Sequence, residues 1–373
     1  MKRLLYFALF SSTMLLAESP EITFENSNFI VNAPIDSTKE NRLYNYNRFR
    51  ITASLNEDNW FFTSIGDIEN YLGKDKINSN SYLLSRKTEA DTPFRTKTGI
   101  TNYGNGEYSA KLYRFYGGYV DAKNRVSIGL QKLSMGVGRI WNPIDLFNQK
   151  NPLALEPDEV YGVFSLLYTY SINDLSQITT VVAQQKDDDF KYASRLKSYV
   201  DVVDVALNVI SSDDSSMYGY EIEGEFLDTG IALRSEGGWF DDKLLNKDFF
   251  QGLIGSDYTF SNSFSITAEW LYSSENFSKE QLLSIDSSMP SNLMQSKSYA
   301  GLSFGYEFDA LLYGSLLGIT NTEDNSFYIS PALRYSLADD MTLQGGVMIY
   351  DGKKGSEFGD IGETYYLNLK VTF

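Results

Sequence analysis

Thr364-Tyr365-Tyr366-Leu367-Asn368-Leu369-Lys370-Val371-Thr372-Phe373 is the stretch that decides the fold. Tyr365, Leu367, Leu369, Val371 and Phe373 form an apolar row, and Thr364, Tyr366, Asn368, Lys370 and Thr372 a more polar one. A period of two means a strand with different surroundings on its two faces. An open apolar edge strand invites aggregation in water. A barrel that closes on its own first strand in lipid has no such edge.

The same alternation recurs upstream. Tyr218, Tyr220, Ile222 and Phe226 alternate with Met217, Glu221, Glu223 and Glu225, and the turn Asp228-Thr229-Gly230 follows. Ile231, Leu233 and Trp239 face outward while Arg234 and Glu236 face in. Comparable rows run through 264–272, 300–308 and 327–337. Each has about ten residues, enough for a tilted strand to cross a hydrocarbon core. Aromatics gather near the strand ends, where interface girdles form.

Composition agrees. Aromatics are 15% of the chain, with 27 Tyr and 24 Phe, at a mean hydropathy of only -0.28. That mixture fits strands with lipid on one face and water on the other. The chain opens with Lys2 and Arg3, an apolar run from Leu4 to Leu16, and Ala17. This is the layout of a secretory signal peptide, expected over 1–17. Residues 18–373 then read as one transmembrane barrel domain. Without Lys2 and Arg3 there are 30 basic and 49 acidic residues, a net charge of -19 that disfavours nucleic acid. There is no Cys and no His. Disulfides, thiolate sites, covalent haem and His-based catalysis or ligation therefore drop out. No cofactor, metal or catalytic residue is expected.

Short turns at 56–58, 121–124, 173–174, 261–262, Asp309 and 338–340 alternate with longer stretches at 73–108, 135–160, 187–192, 276–296 and 352–361. Barrels in outer membranes have this asymmetry. Parity counted back from Phe373 gives a closed antiparallel all-β barrel of about 18 strands. That count needs a first strand near 22–33 and a hairpin turning at Asp201-Val202. A single strand over 193–211, with none at 22–33, gives about 16.

The pleat assigns inward charges. Arg48, Arg50, Arg114, Arg125, Arg334 and Lys370 come mainly from early strands and the last few, with Arg234 apart. Asp204, Glu221, Glu223, Glu225, Glu236, Glu269 and Glu307 come mainly from the middle. Closure would set a basic wall against an acidic one, a field across the lumen. Alternatively the charges pair in a filled lumen, Arg234 with Glu221, Glu223 or Glu236.

Residues 136–159 stand out. Gly136 and Gly138 permit sharp turns, and Pro143, Pro152 and Pro157 exclude a continuous element. Trp141, Ile144, Leu146 and Phe147 are too apolar for a free loop. The expectation is a constricting loop, folded into the barrel mouth, that involves Arg139, Trp141, Asn142, Pro143, Asp145, Glu156, Asp158 and Glu159. Asp145, Glu156, Asp158 and Glu159 would face the basic wall. An outer loop packed on its neighbours is the alternative.

Two resemblances follow from these residues. The ending 364–373 resembles the terminal strand of Gram-negative outer-membrane barrels, which implies recognition of Phe373 by the barrel-assembly machinery. Ser127-Ile-Gly-Leu-Gln131, followed by Gly136-Val-Gly-Arg-Ile-Trp-Asn-Pro-Ile-Asp-Leu-Phe147, resembles porin-like barrels of the alginate-export type. That resemblance implies an outer-membrane barrel of roughly 18 strands that passes a solute or polymer. The leading expectation is a porin-like channel for small polar or charged solutes, with outer-membrane lipid as its partner. The alternatives are a structural barrel that sheathes a periplasmic or electron-transfer partner, and a polysaccharide exporter. Nothing in the sequence fixes the oligomeric state.

Overall fold

The computed structural model describes residues 19–35, 40–85, 90–244, 246–278, 281 and 294–373. The expected leader, 1–17, lies outside them. The strands are β1 Glu21–Pro34, β2 Asn41–Glu57, β3 Trp60–Leu72, β4 Lys97–Tyr103, β5 Gly106–Val120, β6 Asn124–Gln131 and β7 Val163–Asn173. They continue with β8 Ser176–Gln184, β9 Phe190–Val200, β10 Val203–Ser211, β11 Ser215–Glu225, β12 Ala232–Asp242 and β13 Lys247–Thr259. The last are β14 Ser265–Ser273, β15 Ser298–Glu307, β16 Leu312–Asn321, β17 Phe327–Ala338, β18 Met341–Asp351 and β19 Thr364–Thr372.

Every ladder is antiparallel, and β19 pairs back onto β1 from Glu25↔Thr372 to Asn32↔Tyr365. The 19-stranded sheet is thus closed. The short β4 pairs only with β5, so the barrel proper has 18 strands. The two features needed for that count are both present. The first strand is β1, and β9 and β10 turn at Asp201-Val202, where Asp201 takes a left-handed φ of 57°.

The pleat sorts side chains as the alternation requires. On β11, Tyr218 is 66% exposed while Met217 is 0%. On β19, Tyr365, Leu367 and Leu369 are exposed outward and Asn368 is buried inward. Aromatics cluster at the short-turn end, as in Trp60 against Tyr119 and Phe24 against Phe373.

One expected long connection is not long. Over 187–192, a 3-10 turn at Lys186–Asp188 leads straight into β9. The connections at 212–214 and 322–326 on the same side are also tight. Within 73–108 the chain forms α1 Lys74–Ile77, α2 Asn80–Ser85 and β4 rather than an irregular loop.

Candidate functional site

Between β6 and β7 the chain leaves the wall for residues 132–162 and enters the lumen. Its first part folds on itself. Asp145 Oδ1 accepts from the backbone N–H of Phe147 (2.9 Å) and Asn148 (2.8 Å), and Oδ2 accepts from Met135 N–H (3.1 Å). Asn148 Oδ1 accepts from Leu133 N–H at 2.6 Å, and its Nδ2 donates to Tyr161 O at 2.6 Å. Asn142 Oδ1 accepts from Lys150 N–H at 2.9 Å. Asn142, Asp145 and Asn148 thus stitch a compact turn around Pro143. Burial pushes the Asp145 carboxyl up to about 6, against the hydrogen bonds from Asn148, Phe147 and Met135. Asp145 therefore holds the loop's own backbone and does not face the basic wall.

The apolar side chains of the turn pack outward onto the barrel. Leu133, Met135, Ile144, Leu146 and Phe147 join Val181, Ala193, Met217, Phe240 and Phe249 from the wall in one buried cluster. Ile140 and Trp141 pack with Leu253, Leu271 and Ile319. Gly301 of β15 leaves the space that Trp141 fills, since a Cβ there would sit 2.8 Å from the indole.

Two wall carboxylates then take hold of the loop backbone. Glu236 Oε2 of β12 accepts from the N–H groups of Val137 and Gly138, the latter at 3.0 Å. Glu269 of β14 accepts from Arg139 (2.6 Å), Ile140 (2.9 Å) and Trp141 (3.1 Å). Five consecutive N–H groups are thereby satisfied by two side chains. Successive amides curled around an anion form a concave nest. Gly136, at φ 93°, lies where any Cβ would strike the Glu236 carboxylate.

The far end of the loop crosses to the opposite wall. Glu156 pairs bidentately with Arg48 of β2, both contacts 2.8 Å. Glu159 pairs bidentately with Arg50, both contacts 2.9 Å, and Arg50 is also bidentate to Asp67 of β3 at 2.7 and 2.8 Å. Val160 O accepts from Arg114 Nη2 at 2.8 Å. Arg50 and Arg114 both stack on Tyr113, each 3.9 Å from its centroid. Arg114 is buried against this segment, so it does not present a free charge to the lumen. Asp158 is exposed and takes no part in these pairs.

Burial acts to raise the Glu159 carboxyl, but the Arg50 hydrogen bond and the charges of Arg48 and Arg50 outweigh it and hold it at about 2. A carboxyl held below its ordinary value contributes fully above that value and loses the contribution as pH falls toward the depressed one. Pinning through Glu159 should therefore be complete above the ordinary 4.5 and decay as pH falls to about 2. Amide exchange at residues 153–162, followed downward from pH 5, should accelerate across that window in the native chain. In Glu159→Gln the window should vanish.

The two-wall picture of the lumen needs correction. Arg234 pairs with Asp257 and with Glu269 (2.9 Å), not with Glu221, Glu223 or Glu236. Glu221 is bound by Arg195 and by Asn208. Glu223 meets Arg139 at 2.5 Å, Asp204 meets Lys197 at 3.3 Å, and Lys370 meets Glu25 at 2.6 Å. Each wall carries its own counter-charges, so the separation of sign is local. Arg125 over Phe61 and Arg334 over Tyr313 stand toward the short-turn end. So does Glu225, which accepts from Gly230 N–H at 2.6 Å, and so does exposed Glu307. These four are not brought to the loop. Glu25, Asp67, Lys191, Arg195 and Asp257 are sequence omissions. Strict alternation along β1, β3 and β13 exposes three of them.

Above the loop, on the long-connection side, lies a cavity of about 620 Å³. Trp141, Lys150, Lys191, Gln251, Tyr299 and Glu357 contribute to its lining.

With this architecture in hand, the chain can be set beside solved structures. OccAB4 of Acinetobacter baumannii superposes with a TM-score of 0.62 at 10% identity, over 96% of this chain and 99% of that one. OccK5 (OpdH) of Pseudomonas aeruginosa gives 0.62 at 10%, over 96% and 98%. A BenF-like porin from Pseudomonas fluorescens Pf-5 gives 0.61 at 10%, over 96% and 99%. The fold is that of an outer-membrane porin. No family model matches the chain, and no curated protein matches it by sequence. These neighbours agree with a porin-like barrel and lend no support to the alginate-export resemblance drawn from residues 127–147.

Proposed function

We propose that the chain is an outer-membrane channel for small polar or charged solutes, with residues 132–162 as its constriction. The observation that carries this reading is a packed, hydrogen-bonded loop held across the lumen of a closed 18-stranded barrel. In such a channel no residue performs chemistry. Side-chain charge and loop volume select what passes. Glu156 and Glu159, held by Arg48 and Arg50, line the 620 Å³ cavity that receives the solute. One structural neighbour, OpdK of Pseudomonas aeruginosa, was solved with vanillate. A small aromatic acid is therefore the first solute to test. Phe373, exposed on the outward face beside Phe24, is where we propose the assembly machinery engages.

The purified chain in a planar bilayer should give stepwise conductance, and a salt gradient should give its ion preference. Silence at all voltages would overturn the channel reading and leave the sheathing barrel. A long anionic polysaccharide that blocks the current and crosses to the far side would favour polymer export instead.

The membrane reading has its own check. Ile254 is 55% exposed on the outward face of β13. Ile254→Lys should cost about 2–4 kcal/mol near the bilayer midplane. Urea titration of the chain folded in lipid vesicles measures that cost. An unchanged midpoint would mean that this face does not meet hydrocarbon.

A further inference from the structure

The outward face is apolar across most of the barrel but not across β1, β2 and β3. Asn26, Asn28 and Asn32 of β1, Asn45 and Asn47 of β2 and Asn70 of β3 lie on the same face as exposed Ile30, Leu43 and Ile68. The opposite face of these strands carries buried Ser27, Arg48 and Glu69. Register places the asparagines side by side, with Asn28 opposite Asn47 and Asn47 opposite Asn70. They lie above the Phe24, Phe49 and Phe373 cluster, and Asn32 reaches the level of Tyr365. The strip therefore crosses the band that the membrane reading assigns to hydrocarbon.

Part of its hydrogen-bonding capacity is used within the strip. Asn26 and Asn47 exchange bonds at 3.3 and 3.1 Å, Asn45 Nδ2 donates to Asn28 Oδ1 at 3.0 Å, and Tyr103 Oη donates to Asn70 Oδ1 at 2.5 Å. Among the described residues, the amide NH2 groups of Asn28 and Asn70 have no acceptor. A side-chain amide offers two donors and an acceptor with two lone pairs. Lipid tails can meet neither, and polar side chains facing hydrocarbon are accommodated by bonding across to another protein segment.

We propose that this strip is where a second copy of the chain docks in the membrane. The match is to itself. Amides carry donors and acceptors together, so an asparagine strip complements an identical strip. A two-fold interface brings the same patch of both subunits face to face. Both barrels insert in one orientation, so the two-fold axis runs along the membrane normal between the two β1–β2 faces. Ile30, Leu43, Leu367 and Leu369 form an apolar rim that packs as well on a partner as on lipid. The proposal rests on the membrane reading above but not on conduction.

The chain lacks cysteine, so single reporters are clean. Ile30→Cys and Leu43→Cys, treated with a short bis-maleimide in the membranes of expressing cells, should each give a species of twice the monomer mass. Ile254→Cys, far around the barrel, should not. Adding N28L and N47L to Ile30→Cys should abolish the dimer while the barrel keeps its folded mobility on unheated gels. Asn47→Leu alone should reduce it severalfold. No dimer at either reporter, equal dimer at Ile254→Cys, or a crosslinked species of another mass would overturn the proposal. So would dimer that survives in a folded N28L/N47L barrel. Bilayer conductance is read separately, so failure of the channel reading leaves this result intact.

Discussion

Replacing Glu236 and Glu269 with alanine should unfasten the loop and raise single-channel conductance severalfold. Together these carboxylates satisfy five consecutive backbone N–H groups, from Val137 to Trp141. A hydrogen bond to a charged group contributes roughly 1.5–3 kcal/mol, and more is at stake when the donors are left buried without a partner. Glu236→Ala is the cleaner first step, because Glu269 also holds Arg234. Arg234 keeps Asp257 even without Glu269. The wall ladders do not depend on either side chain, so strand content and folded gel mobility should stay unchanged. Conductance that stays at the native level in the folded double variant would show that the loop does not limit the current.

The second large effect should come from Arg50. It is bidentate to both Asp67 and Glu159 and stacks on Tyr113. Arg50→Met keeps much of the volume and removes the charge, which leaves Asp67 without its guanidinium and Glu159 with only its longer contact to Arg48, at 3.3 Å. Breaking a buried pair from one side typically costs about 3–5 kcal/mol. Arg50 and Glu159 are only partly buried, so the lower figure is expected. The uncovered carboxylates should also draw cations. The reversal potential in a salt gradient should move toward cation preference, and the barrel should unfold at lower urea. A potential that does not move would place the ion path away from β2 and β3.

Much of the fold was legible because alternation carries it. Tyr218 against Glu221, or Leu367 against Asn368, can be sorted by parity alone, and the strand count followed from the same parity. The loop's entry into the lumen was also legible, since Trp141, Ile144, Leu146 and Phe147 needed something to pack on. What the pattern hid was pairing. Asp145 looked like a charge for the basic wall, yet it caps its own turn, because a carboxylate three residues after Asn142 is within reach of several orphaned N–H groups. Glu236 and Glu269 looked like free lumen charges. Their partners are backbone amides 98 to 130 residues away, and backbone amides leave no mark in a sequence. The acidic wall companions of Arg48 and Arg50, namely Glu25 and Asp67, were within reach of the same alternation.

The loop's attachment to β12, β14, β2 and β5 also has a mechanical meaning. A thin sheet rolled into a tube flexes most easily by flattening, which brings one pair of opposite walls together and pushes the other pair apart. Residues 136–160 act as a spoke across that tube, fixed by carboxylates at one end and guanidiniums at the other. A spoke of this kind stiffens the cross-section against ovalisation. Any solute that loosens one of its ends would also change the shape of the whole cylinder.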